Sequence, residues 1–296
     1  MALASSDVPA LAAGGAASNQ TTLSIPSGAV TGTYYVIAEA DSSKTVQETL
    51  ENNNTAARAV RVGGDLVLWG LSSQSTAGAG SPFVVTDTVK NTGGSAVAAS
   101  LTSFYLSTDL LLSSTDPLIG SRPVGPLAAG ELSTASSTLT MPVGTAAGSY
   151  FLFAKADGGN TVSETQENNN SSGRGVTVGP DLIVSIASAT SPVQAGSATL
   201  LTDTITNTGG GEAGPSMTRY YLSKNSVLDA LDPVLAAVRP VPSLAAGAFS
   251  SGSTSVMIPA GTAPGPYYVI AKADSDQSVG ESSETNNTRP RAVQVE

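Results

Sequence analysis

Three observations predict an all-β chain of tandem immunoglobulin-like β-sandwich domains, with about seven strands per full copy. The sequence repeats itself at a spacing of 116 to 117 residues, short β-branched and aromatic runs are separated by Gly, Pro and Asn, and no long stretch keeps a 3.6-residue apolar period.

The repeat sets the domain boundaries. Asp65 and Asp181, Asn91 and Asn207, and Asp116 and Asp232 are each 116 apart. After one inserted residue near Ala236 the spacing becomes 117, as for Arg122 and Arg239, Tyr150 and Tyr267, and Asp157 and Asp274. Residues 65–179 and 180–296 are therefore two full copies, here the second and third. Residues 1–64 match only the second half of a copy, since Leu11, Pro26, Tyr34 and Asp41 lie 116 before Leu127, Pro142, Tyr150 and Asp157. On this reading the chain resembles a fragment of a longer array. Its first copy lacks front strands, which leaves a sheet edge and part of a core uncovered, and it has the lowest stability unless another chain pairs with it.

In the second copy the strands fall at "DLVLWGL", "FVVTDTVKN", "LTSFYLST", a short run at "PLIGSR", "LSTASSTLTM", "YFLFAKAD" and "GRGVTV". The turns "KNTGGS" and "TNTGGG" place Asn and Gly where the backbone is expected at positive φ. "PSGAVTGTY", "PVGTAAGSY" and "PAGTAPGPY" lead into an aromatic strand whose opening Tyr, at 34, 150 and 267, has the position of a tyrosine corner. The linker "VTVGPDLIV" is too short for a flexible string and predicts a stiff junction with a limited hinge.

Composition excludes several function classes. The chain has no Cys, so neither disulfides nor thiolate metal sites hold it, and no His, which removes the commonest general base and zinc ligand. Its net charge of -10 argues against nucleic acid and anionic membrane surfaces as partners. No apolar run is long enough to span a membrane, and "MALASSDVPALAAGGAAS" has neither the basic nor the apolar region of an export signal.

"PDLIV", "DTITNTG", "YYLSKN", "LAAG", the Pro-x-Gly run before "YYVIAKAD" and the closing "VGESSETNN" resemble CARDB, the cell-adhesion-related domain found in bacteria. The resemblance covers essentially the whole chain. It implies immunoglobulin-like sandwiches used in tandem in large exported bacterial proteins, often beside protease or other catalytic modules, with a role in adhesion. It implies an extracellular or cell-surface location, and it carries over no ligand and no active site.

One stretch concentrates charge at the end of each aromatic strand: "AEADSSKTVQETLENNN", "AKADGGNTVSETQENNN" and "AKADSDQSVGESSETNN". Carboxylates and amide oxygens this close could supply the hard oxygen shell of Ca²⁺. The candidate ligands are Asp41, Glu48, Glu51 and Asn53, then Asp157, Glu164, Glu167 and Asn169, then Asp274, Glu281, Glu284 and Asn286. The simpler reading has Asn and Asp capping turns while Glu faces solvent, and it is favoured because the spacing lacks the D-x-D-x-D pattern of dedicated calcium loops. A glycosidase pair is the weakest reading, because three equal copies point to architecture.

A period of two places Asp87 on the face shared by Phe83, Val85 and Val89, and a buried carboxylate there requires a partner. Arg122 is the candidate, with Asp203 and Arg239 repeating the pair; the alternative is a bulge that turns the Asp outward. Trp69 is replaced by Ser185 in the next copy, and Phe104, Tyr105, Tyr220 and Tyr221 read as core and flank of a strand rather than as a sugar platform.

The sequence therefore predicts a non-catalytic structural or adhesion repeat acting as a stalk or spacer, with a surface protein or polysaccharide as partner and Ca²⁺ as the one cofactor in question. The alternatives are a calcium- or carbohydrate-dependent adhesin and an accessory region of a secreted hydrolase.

Overall fold

Alternation of apolar and polar residues governs the structure, a computed structural model that describes residues 2–296. Every regular element among the described residues is a strand, and none of them forms a helix long and apolar enough to cross a membrane. The first copy contributes β1 (Gly32–Glu39) and β2 (Thr55–Val62). The second contributes β3 (Leu66–Ser73), β4 (Thr76–Ala77), β5 (Pro82–Asn91), β6 (Ser100–Ser107), β7 (Leu118–Val124), β8 (Leu132–Thr140), β9 (Gly148–Lys155) and β10 (Ser171–Val178). The third contributes β11 (Leu182–Ala189), β12 (Ala198–Asn207), β13 (Ser216–Ser223), β14 (Val234–Val241), β15 (Phe249–Met257), β16 (Gly265–Lys272) and β17 (Thr288–Val295).

Each full copy is a sandwich of two sheets. In the second, β3-β5-β8 faces β4-β10-β9-β6-β7; in the third, β11-β12-β15 faces β14-β13-β16-β17. Leu66, Phe83, Val85, Val89 and Leu139 from one sheet pack against Phe104, Leu106, Leu152, Ala154, Val176 and Val178 from the other. The opposite face of the three-stranded sheet is a ladder of paired hydroxyls, Thr86 with Ser136 and Thr88 with Thr134, repeated as Thr202 with Ser253 and Thr204 with Ser251. This face accounts for the Ser/Thr alternation in the sequence, since cross-strand hydroxyl pairs suit a solvated pleat. Trp69 and Ser185 both sit at a register shift in the first strand of their copy. At a bulge the ladder is already interrupted, which fits the lack of agreement between these two residues.

Two features differ from the sequence reading. β4, a two-residue strand paired parallel to β10, has no signal of its own in "TA" and exists because the chain is carried past that edge. The glycines of "KNTGGS" and "TNTGGG" do not take positive φ; the non-glycine residues that do are Asp157, Asn160 and their counterparts, and the linker glycines Gly63 and Gly179 do as well. The turn glycines are needed for close approach: a Cβ on Gly93 would stand 2.5 Å from the Gly63 carbonyl oxygen, and one on Gly209 2.4 Å from that of Gly179. The turn asparagines are buried knots. Asn91 Oδ1 accepts the amides of Asp65 and Gly93, while its Nδ2 donates to the carbonyls of Ser95, Leu127 and Ala128.

The aromatic that opens the last hairpin ties its own turn, as Tyr150 donates its hydroxyl to the Ala146 carbonyl at 3.1 Å and Tyr34 to that of Val30 at 3.0 Å. In the first copy, β1 pairs with β2 over eight residues. Residues 2–8 and 16–24, the counterparts of β7 and β8, form no strand. Those counterparts pair with β6 and β5, which have no equivalents among the described residues of the first copy.

Each core holds one ion pair. Asp87 is fully buried and receives Arg122 Nε and Nη2, both at 2.7 Å; Arg122 also reaches Ser133. Asp203 receives Arg239 in the same way and also the hydroxyl of Tyr220 at 2.6 Å. Phe104 occupies the Tyr220 position in the second copy, where Thr102 faces the carboxylate instead. Removing one partner of such a pair strands the other charge in an apolar core. Asp87→Ala is expected to destabilise the second copy by about 3–5 kcal/mol, whereas Asp109→Ala, which frees one exposed loop amide, costs about 1 kcal/mol or less. Equal midpoints for the two variants in urea unfolding would contradict a central role for the pair.

Candidate functional site

The acidic hairpins occupy the turns between β1 and β2, β9 and β10, and β16 and β17. Their innermost layer is local. Asp157 adopts φ of 43° and accepts the amides of Thr161 and Val162, one on each carboxylate oxygen. Asp41 and Asp274 repeat this with Thr45 and Val46 and with Ser278 and Val279. Two backbone donors, the amides of Thr45 and Val46, hold the Asp41 carboxyl below its usual range. Glu167, Glu51 and Glu284 each accept the amide of the glutamate three residues before them, at 3.0 to 3.1 Å.

The second layer closes the sandwich. Glu164 Oε2 accepts the amide of Leu66, 98 residues earlier, at 2.6 Å, and Glu281 Oε2 accepts that of Leu182 at 2.5 Å. Thr165 and Ser282 donate their amides to the carbonyls of Gly64 and Pro180. Asp65 answers from the start of β3, receiving Gln166 N, Asn169 Nδ2 and Thr92 Oγ1. Asp181 receives Asn286 Nδ2 and Thr208 Oγ1. The hairpin thus clasps the first residues of its own domain.

The expectation that the glutamates face solvent holds for Glu48, Glu51, Glu167 and Glu284 and fails for Glu164 and Glu281, which are each only 7% exposed. Burial, reinforced by the neighbouring Glu167 and Asp157 carboxylates, raises the Glu164 pKa to about 7 against the pull of the Leu66 and Asn170 hydrogen bonds. Burial and the Glu284 and Asp274 charges raise Glu281 to about 7 in the same way. Asn170 and Asn287 donate Nδ2 to these glutamates at 2.8 and 2.9 Å, while their own Oδ1 atoms are buried without a partner.

For metal binding, the structure brings oxygens of Asp274, Glu281 and Glu284 within 4.8 Å of one another. Most of those oxygens already accept N–H bonds: both of Asp274, both of Glu281 and Oε1 of Glu284. Asn169 and Asn286 direct their amide donors to Asp65 and Asp181. A cage of six to eight free oxygens, as Ca²⁺ prefers, does not fit this donor set as it stands. In the first copy Glu48 Oε2 takes Asn54 Nδ2, and Asn53 is exposed. Asp65, Asp181, Asn91 and Asn207 mark the repeat in the sequence, and the two asparagines mark a turn, but nothing in the sequence points to the contacts they make here.

The family model CARDB matches residues 2–58, 64–174 and 179–291. Among solved structures, a CARDB domain from Pyrococcus furiosus in complex with di-metal ions is 25% identical over 39% of this chain and 94% of its own, with a TM-score of 0.31. A domain of a proposed cell surface protein from Methanosarcina acetivorans is 21% identical over 39% of this chain and 91% of its own, with a TM-score of 0.31. Red sea bream transglutaminase is 12% identical over 81% of this chain and 32% of its own, with a TM-score of 0.41. No match is found among curated proteins.

The clasp predicts a pH dependence of defined sign. A carboxyl whose folded pKa is raised binds its proton more tightly in the fold. Its contribution is full below the unfolded value near 4.5 and is lost as pH rises through about 7. Melting temperature is therefore expected to rise as pH falls from about 8 to about 5, and Glu164→Gln with Glu281→Gln should flatten that slope. A melting temperature that falls across this window, or an unchanged slope in the double variant, would contradict the assignment.

Proposed function

From the premise that the chain belongs to the CARDB family, a non-catalytic family of adhesion-related domains, we propose that it is a structural repeat region of an exported surface protein. Its units are residues 1–64, 65–179 and 180–296, and it acts as a stiff spacer that presents a neighbouring domain or partner at a distance from the cell. The partner class is a surface protein or polysaccharide.

The observation that carries this reading is the way the linker is built into both full copies. Gly179 donates its amide to the Ala77 carbonyl at 3.0 Å and accepts the amides of Gly210 and Gly211 at 3.0 and 3.1 Å. A Cβ on Gly210 would lie 2.3 Å from Ala77 N, so the third copy's turn rests directly on backbone of the second. A junction whose polar groups are satisfied by both neighbours resists bending better than a solvated linker.

Replacing Gly210 by Ala forces this contact apart. With Leu110→Cys and Val227→Cys as the sole cysteines for spin labels, both at exposed loop positions, the distance distribution between copies is expected to broaden while each copy melts as before. An unchanged distribution would contradict the stiff-spacer reading.

A second reading, a cation-dependent adhesin, is favoured by the convergence of Asp274, Glu281 and Glu284. It requires those oxygens to give up N–H donors. Calcium titration by calorimetry on the full chain separates the two: the clasp alone gives no saturable heat, whereas saturable heat abolished by Glu284→Ala would establish the cation site.

A further inference from the structure

We propose that the outward face of the three-stranded sheet in each full copy is a docking surface for a neutral polysaccharide. This partner narrows the polysaccharide class proposed above and rests on that reading, but it does not depend on the stiffness of the junction.

The face carries an exposed ring in both copies, at positions that the repeat spacing conceals. Trp69 is 60% exposed and Phe249 67%. Trp69 aligns with Ser185 and Phe249 with Leu132, so neither ring recurs in the sequence. The sheet nevertheless sets both beside the same residue of its central strand. In the second copy the bulge between Leu68 and Gly70 aims Trp69 outward, with Lys90 Nζ 4.2 Å from its ring centroid. In the third copy Thr206 stands where Lys90 does. Ser185 bonds its hydroxyl at 2.7 Å, and Phe249 is its register partner on β15. One ring thus flanks the central strand from the β3 side, the other from the β15 side.

From each ring the hydroxyl ladder runs along the sheet. The outward positions of β5, β8, β12 and β15 are mostly Ser and Thr; Lys90 is their one charged residue, and none is a carboxylate. The chain as a whole holds 23 acidic residues and a net charge of -10. A hydroxyl has one donor and two acceptor sites, so a pair such as Thr86 with Ser136 keeps one hydrogen and several lone pairs for a ligand.

This chemistry selects the occupant. A pyranose has an apolar C–H face and a hydroxyl edge, which match an exposed ring set beside a ladder of hydroxyls. A protein interface needs a continuous apolar centre. The exposed apolar residues of β12 and β15 stand instead at their ends, Phe249 at one and Leu200 and Met257 at the other, with hydroxyls between. An acidic polysaccharide meets one cation on these strands in the second copy and none in the third. A second copy of the chain laid face to face would bury Lys90 with no carboxylate opposite.

The test is affinity electrophoresis of the full chain in native gels containing hydroxyethyl cellulose, galactomannan or polygalacturonate, read together with the fluorescence of Trp69, the chain's single tryptophan. At least one neutral polymer is expected to retard the chain and to shift Trp69 emission to shorter wavelength, whereas polygalacturonate changes neither. Trp69→Ala and Phe249→Ala should each weaken retardation about threefold or more, and together about tenfold or more. Trp69→Phe should keep most of it. Both side chains are exposed, so the variants should melt as the parent does. The label distances of the Gly210 variant test the spacer reading separately and are indifferent to these results. Migration unaffected by both neutral polymers, full retardation of the double variant, or retardation by polygalacturonate alone would overturn the proposal, as would a concentration-dependent dimer of the chain alone that shifts Trp69 emission.

Discussion

Each sandwich in this chain closes through a hydrogen bond between residues almost one hundred positions apart, from the amide of Leu66 to Glu164 and from that of Leu182 to Glu281. An all-β domain without disulfides has to bring its first strand against its last by packing and pairing alone, and long-range closure carries a loop entropy that local contacts do not repay. A carboxylate oxygen aimed at the strand's opening amide fixes where that strand begins. With the start fixed, the alternation that follows puts Leu66 and Leu68, or Leu182 and Val184, into the core rather than into solvent.

The first copy separates what the hairpin makes by itself from what closure adds. Asp41 caps its turn and Glu51 holds Glu48 just as their counterparts do, with no front half present among the described residues. These bonds span three to five residues and need no tertiary partner. Glu48 keeps the asparagine bond of its counterparts, from Asn54 as from Asn170 and Asn287, but receives no strand-opening amide and lies exposed, whereas Glu164 and Glu281 are buried. The same seventeen-residue motif thus contains an autonomous turn and a socket. The buried ion pair works differently, since it joins the two sheets to each other, Asp87 on β5 to Arg122 on β7 and Asp203 on β12 to Arg239 on β14.

Much of this was legible in the sequence, for reasons that can be traced to individual residues. The period of two sets Phe83, Val85, Asp87 and Val89 on one face, and all four are buried. The repeat spacing pairs every strand of the second copy except the two-residue β4 with one in the third. The clasp was harder to read because its key partner is a backbone amide, a group every non-proline residue carries, so nothing at Leu66 marks it as the ligand of Glu164. The glycines misled in a related way. "NTGG" implies a tight turn, and whether glycine serves dihedral freedom or close approach depends on what lies above it, here the linker at Gly63 and Gly179. Asn91 was read as a turn residue, yet its five hydrogen bonds tie the turn to the linker and to the loop before β8.

Amide hydrogen exchange at Leu66 and Leu182 tests the closure most directly. If Glu164 and Glu281 hold these strand openings as part of the cooperative fold, both amides exchange only by global unfolding, at the rate of core-strand amides such as Val89 and Ile205. Exchange as fast as that of the exposed loop amide of Leu111 would mean that the sandwiches close without the clasp, and would contradict the account.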